Sequence, residues 1–124
     1  EPVLAGLAEA GVGRAIFTGR GRTSTDWLLR ATGLVDRFSP VVTSDDVDEP
    51  KPAPDGLLQI LERTGTAPGD AVYVGDSPLD VRAARGAGIR PLAAFWGTSE
   101  PEALRATPAQ AVVSPGDLAG LLLG

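Results

Sequence analysis

Four side chains in this sequence have the types and placement for phosphoryl chemistry: Thr18, Lys51, Asp76 and Asp80. The two aspartates stand four residues apart in Ala71-Val72-Tyr73-Val74-Gly75-Asp76-Ser77-Pro78-Leu79-Asp80, where an apolar run stops on Gly-Asp and turns through Ser-Pro. Ten of the eleven basic residues are arginine; the single lysine is Lys51, inside Glu49-Pro50-Lys51-Pro52-Ala53-Pro54. A lysine ammonium is a compact point charge that can approach a phosphoryl oxygen or a carboxylate in a way a planar guanidinium does not. An aspartate can hold Mg²⁺, and a second acid can orient the lysine or a metal-bound water. A hydroxyl with neighbouring backbone amides, as at Thr18-Gly19, can hydrogen-bond phosphoryl oxygens. This set suits phosphoryl transfer, in which positioning and electrostatics dominate. It lacks a nucleophile or base with a clear activating partner. Each residue also has a plainer reading: a helix cap for Asp76 and Asp80, a strand-end cap for Thr18, an exposed-loop cation for Lys51. Their combination favours a site.

The elements around them must bring them together. Ala15-Ile16-Phe17 reads as a strand leading into Thr18-Gly19-Arg20-Gly21, and Pro40 to Thr43 as a second strand before the acid- and proline-rich loop that carries Lys51. Ala71 to Val74 reads as a buried strand. Gly75 and Pro78 bracket a turn, and Pro78 suits the first turn of a helix running to Ala87. That helix sets Val81, Ala84 and Ala87 on one side and Arg82 and Arg85 towards solvent. Further helices are expected over Pro2–Glu9, from Ser24 or Thr25 to Gly33 with Trp27, Leu28 and Ala31 inward, from Asp55 to about Gly65, over Glu100–Ala106, and from Ser114 through Leu122. Arg90–Trp96 and Ala111–Val113 complete five strands. Strands alternating with helices imply a parallel sheet covered on both faces, in one domain spanning residues 1–124. Thr18, Lys51, Asp76 and Asp80 follow the first, second and third strands. If these are parallel, their carboxyl ends share one edge, where such folds bind ligands.

Composition removes other classes. Net charge is -5, so a nucleic-acid backbone is not an expected partner. With no cysteine and no histidine, disulfides, a Ser-His-Asp triad and a His- or Cys-ligated zinc site are excluded, and any metal is a hard, oxygen-liking cation. No apolar run approaches the roughly 18 residues of a membrane span, and no signal peptide is visible, so a cytoplasmic location is expected. The sequence contains no methionine and opens on Glu1-Pro2, which leads us to expect a piece of a longer or processed chain. Gly19-Arg20-Gly21-Arg22 has the look of a dinucleotide loop, but Ser24 stands where the third glycine belongs, and a flexible turn is the better reading. Trp27 and Trp96 are read as core or edge packing.

Three stretches resemble the haloacid dehalogenase-like (HAD) hydrolase superfamily, and within it the phosphoglycolate-phosphatase-like members. Ile16-Phe17-Thr18-Gly19-Arg20 is similar to the family's second motif, Lys51-Pro52-Ala53-Pro54-Asp55 to its third, and Val74-Gly75-Asp76-Ser77-Pro78-Leu79-Asp80 with Ala83-Ala84 and Ala87-Gly88 to its fourth. Phe95-Trp96-Gly97 and Ser114-Pro115-Gly116-Asp117-Leu118 fit the same group. The resemblance implies a three-layer, Rossmann-like α/β core and a Mg²⁺-dependent phosphatase that acts on a small phosphorylated metabolite through an aspartyl-phosphate. It implies Thr18, Gly19 and Lys51 as phosphate-binding residues, Lys51 also as the stabiliser of nucleophile and phosphoryl charge, Asp76 as a Mg²⁺ ligand and Asp80 as its supporting acid. The family's first motif, Asp-x-Asp-Gly-Thr, which supplies the nucleophile, is absent. Asp46-Val47-Asp48 spells Asp-x-Asp but follows the wrong strand, and a solvated acidic loop is the better reading. The resemblance therefore implies an incomplete core. It lacks the central first-motif strand, expected between the strands ending at Thr18 and Asp76, and the cap domain that largely sets the substrate. An N-terminal segment is the partner this implies. A non-catalytic phosphate- or Mg²⁺-binding module, degenerate or split, is the alternative, and metal-independent dehalogenation on the same fold is a third.

Overall fold

The structure, a computed structural model, describes Leu7 and residues 11–96, 98 and 100–112. Apart from Leu7, the helix expected over Pro2–Glu9 lies outside these residues, as do the helix from Ser114 onward and the last residue of the final strand. The described elements alternate: β1 (Ile16–Phe17), α1 (Arg22–Thr32), β2 (Val41–Val42), α2 (Asp55–Thr64), β3 (Val72–Gly75), α3 (Pro78–Gly86), β4 (Arg90–Ala94), α4 (Pro101–Arg105) and β5 (Gln110–Val112). Turns of 3-10 helix at Ser44–Asp46 and Pro68–Asp70 follow β2 and precede β3.

Local chemistry sets the boundaries. The helices α1 and α2 stop where Gly33 (φ 74) and Gly65 (φ 66) take the left-handed conformation, and each glycine N–H returns to carbonyls of the last turn. Ser77 starts α3 through a reciprocal cap with Asp80, with Pro78 in the first turn. Its two faces come out as the spacing predicts: Val81, Ala83 and Ala84 are buried, while Arg82 and Arg85 are exposed.

All strand pairings are parallel, as expected, but the described strands form two sheets. One pairs β1 with β2, Ile16 opposite Val41; the other runs β3-β4-β5, with Val72 opposite Arg90 and Leu92 opposite Gln110. No ladder joins β1 to β3 among the described residues. Between them lies a groove of about 560 Å³, lined by Arg14, Ala15, Phe17, Leu57, Val72 and Tyr73 among others. This agrees with a parallel core that lacks a central strand between β1 and β3. It corrects the reading of β3 as buried: Val72 is 37% exposed, because it faces the groove. The main apolar cluster joins the sheets from one side, packing Phe17 and Val42 against Leu57 and Leu61 of α2 and Ala83 and Ala84 of α3. A smaller cluster of Val81, Ala93 and Leu104 holds α4 to the second sheet.

The helix α1 departs from expectation. It begins at Arg22, so neither Ser24 nor Thr25 is its cap, and Asp26 lies beyond its first turn, 3.6 Å from Arg22. Asp45, from the turn after β2, caps it instead by accepting the Arg22 N–H at 2.6 Å. Only Thr25 and Leu29 of α1 are buried. Trp27 (69% exposed), Leu28 and Ala31 face outward, against the expectation of inward packing.

Candidate active site

The site grows from the carboxyl ends of β1, β2 and β3. After β2, Thr43 and Asp46 make a reciprocal cap that shapes the Ser44–Asp46 turn. Asp46 also binds Arg22 at 2.6 Å, and Arg22 reaches the Val41 carbonyl at 2.7 Å, so this turn is fastened to the start of α1. The Thr43 backbone N–H donating to Asp46 does most to hold its carboxyl below the ordinary 3.8, with burial opposing and the Thr43 hydroxyl and Arg22 helping. Asp46 is thus a structural clamp rather than part of a solvated loop. Gln59 on α2 donates to the Asp46 carbonyl at 2.8 Å, which steadies the approach to Lys51.

Asp80 is the hinge of the arrangement and is only 6% exposed. Its Oδ2 accepts the backbone N–H groups of Asp76 and Ser77 at 3.1 and 3.3 Å. Its Oδ1 accepts Lys51 Nζ at 2.6 Å and the Tyr73 hydroxyl at 3.2 Å. One oxygen therefore does the capping and the other pairs with the Lys51 ammonium. Asp80 comes this close to the end of β3 because residue 75 has no side chain: a Cβ there would lie 2.2 Å from Asp80 Cβ. Lys51 is largely enclosed, with its ammonium 5.1 Å from the Phe17 ring centroid and 5.8 Å from that of Tyr73. Among the described residues, no hydrogen bond or ion pair engages the Asp76 carboxylate, which is exposed. The Asp76 backbone carbonyl accepts the Thr98 hydroxyl at 2.6 Å.

A pocket of about 320 Å³ opens over these groups, lined by Phe17, Lys51, Tyr73, Asp76, Asp80 and Trp96 among others. Lys51, Asp76 and Asp80 are thus brought together. Thr18 and Gly19 are not among its lining residues. The Thr18 hydroxyl accepts the Arg20 N–H at 3.1 Å, within its own loop, and its N–H donates to the Val42 carbonyl at 3.0 Å. Trp96, expected in packing, is 48% exposed at the pocket wall. The sequence reading passed over Tyr73. Its signal was a lone hydroxyl-bearing ring in an aliphatic run, and it is the only tyrosine in the sequence. Burial first, then the charge and hydrogen bond of Asp80, then the charge of Asp76, raise its phenol above 10.0 and keep it neutral.

Fold and site together define a parallel α/β protein that presents an ammonium, fixed by a buried carboxylate, beside an open carboxylate at its strand ends. The sequence pattern of the family described as haloacid dehalogenase-like hydrolase matches residues 1–94. A pyrophosphatase, PpaX, from Bacillus velezensis is 38% identical over 90 residues, covering 73% of this chain and 42% of that protein. A phosphoglycolate phosphatase from Escherichia coli is 36% identical over 101 residues, covering 82% of this chain and 40% of that protein. Among solved structures, a HAD-superfamily hydrolase of subfamily IA from Geobacter sulfurreducens superposes with a TM-score of 0.83 at 33% identity, over 98% of this chain and 57% of that one. CbbY from Rhodobacter sphaeroides, solved in complex with phosphate, superposes with a TM-score of 0.82 at 30% identity, over 94% and 53%. The chain belongs to the haloacid dehalogenase-like hydrolases. It spans less than half the length of these two curated relatives.

Proposed function

We propose that this chain is part of a Mg²⁺-dependent phosphatase that hydrolyses a small-molecule phosphate monoester through an aspartyl-phosphate intermediate. The observation that carries this is the Lys51–Asp80 pair at 2.6 Å, set beside the open Asp76 carboxylate in one pocket. Lys51 neutralises negative charge on the phosphoryl oxygens and on the attacking carboxylate, and Asp80 holds it in place. Asp76 offers a hard oxygen donor of the kind Mg²⁺ takes. Among the described residues no group of three or more potential ligands gathers, so water, the phosphate and a further segment would supply the other donors. When bound there, Mg²⁺ would supply electrostatic stabilisation of the phosphoryl group. Thr18 and Gly19 would meet phosphate only after their loop turns its hydroxyl from Arg20 towards the pocket.

The nucleophile is assigned to a segment outside this sequence. The groove between β1 and β3 supports this: a parallel strand in it would pair with both open edges and end beside Lys51 and Asp76. That segment would complete a single core domain. The relatives named as phosphatases support the reaction class. The test is hydrolysis of an aryl phosphate with Mg²⁺ by this chain and by a form extended upstream. Activity is expected only in the extended form, and it is expected to be lost in Asp76→Asn and Lys51→Ala. An extended form that carries Asp-x-Asp and hydrolyses no phosphate ester would leave the second reading, a non-catalytic phosphate-binding module. That reading draws on the lack, among the described residues, of any activated nucleophile in the pocket.

A further inference from the structure

We propose that Tyr73 is a positioning residue that locks the Lys51 ammonium and couples it to the loop carrying Thr18 and Gly19. This rests on the phosphate site above and extends it to a side chain to which no role was assigned.

The Tyr73 hydroxyl is a three-way junction. It accepts from Lys51 Nζ at 3.1 Å, and its single proton is shared between the Phe17 carbonyl at 3.0 Å and Asp80 Oδ1 at 3.2 Å. A lysine has four rotatable side-chain bonds and loses much freedom when fixed. One carboxylate contact leaves the ammonium free to swing about Oδ1. A second acceptor, in another direction, commits two of its three N–H donors and fixes where the third points. The Phe17 carbonyl belongs to the same peptide unit as the Thr18 N–H, which itself donates to the Val42 carbonyl at 3.0 Å. Tyr73, on β3, therefore ties the start of the Thr18 loop, on β1, to the Lys51–Asp80 pair, which itself joins the loop after β2 to α3. Among the described residues this is the side-chain hydrogen bond that spans the gap between β1 and β3. The ring is held independently of the hydroxyl, 6.3 Å from Phe17 between centroids, so Tyr73→Phe removes the junction and keeps the packing.

The sequence supplies its own probes, since it contains one lysine and one tyrosine. In the form extended upstream, Lys51 is followed through the nitrogen-15 signal of its ammonium, assigned by its loss in Lys51→Arg, with inorganic phosphate as the titrant. In the unaltered protein the signal is expected to exchange slowly with water and to move on adding phosphate. In Tyr73→Phe we expect severalfold faster exchange, phosphate affinity weakened by about tenfold, the scale of one lost hydrogen bond to a charged group, and shifts of the Thr18 and Gly19 amides. Unchanged exchange and affinity in Tyr73→Phe would overturn the proposal, as would a Lys51 ammonium that exchanges like a free lysine in the unaltered protein. Should Tyr73→Phe fail to fold, replacement of the tyrosine by 3-fluorotyrosine, nearly isosteric and more acidic, is expected to shift the Lys51 signal; no shift there also overturns it. If phosphate leaves the signal untouched in the unaltered protein, the phosphate reading of the pocket fails, while the exchange comparison still decides whether Tyr73 holds Lys51.

Discussion

At the scale of single residues, Asp80 explains why the Gly75-Asp76 strand end is built as it is. A carboxylate that must both cap a helix and hold an ammonium has to sit against the backbone at the end of β3, and that approach forbids a side chain at position 75. We therefore expect Gly75→Ala to destabilise the fold by about 3 kcal/mol, the upper part of the usual overpacking range, because the atom it meets is the Cβ of Asp80 rather than a flexible tip. Chemical denaturation would show this as a lower midpoint. An alanine that leaves the midpoint unchanged would mean that Asp80 sits elsewhere. Lys51 is the counterpart: a sequence that otherwise uses arginine places its one ammonium where a compact charge fits beside two rings and a carboxylate.

At the scale of elements, two contacts fix how the pieces meet. The first is the Asp46 clamp between the turn after β2 and the start of α1. Its carboxyl titrates below the ordinary 3.8 in the folded chain. A lowered folded value means stability that is present above the unfolded value and lost as pH falls through the folded one. Asp46→Asn is thus expected to be less stable than the parent at neutral pH, with the gap closing below about pH 4. Parallel melts across that range would reveal it, and a gap that widened on acidification would have the wrong sign. The second contact is between α2 and β1. A Cβ at Gly56 would lie 2.2 Å from the Phe17 ring, so α2 can rest on β1 only with glycine there. Gly56→Ala should cost about 2 kcal/mol and move the Phe17 ring beside Lys51. A pair of melts, with the aromatic proton shifts of Phe17, tests both parts together.

At the scale of the whole molecule, the gap between the two sheets governs behaviour. Among the described residues the facing edges of β1 and β3 have no ladder partner, which is costly where water is scarce and invites pairing with other chains. The isolated 124-residue chain is accordingly expected to be poorly stable, and an upstream extension that fills the groove to raise its melting temperature. A sharp, reversible melt of the isolated chain, with a native-like near-ultraviolet signal, would contradict this.

Period and punctuation in the sequence by themselves determined the alternation of strands and helices and the start of α3 at Pro78, since these depend on neighbours a few residues apart. Parallel pairing followed from that alternation, because a crossover helix returns the next strand in the same direction. The same local signals placed Lys51 in the loop after β2, Asp76 at the end of β3 and Asp80 in the first turn of α3. Tertiary structure alone decided what the polar groups do. Asp45 caps α1 from 23 positions away in the sequence, which no local capping rule could find at Ser24. Trp27 was misplaced because helical spacing says which residues share a face but not whether another element covers it. Tyr73 gained its place from three partners, Phe17, Lys51 and Asp80, that meet only when β1, β3 and the intervening loop are packed together.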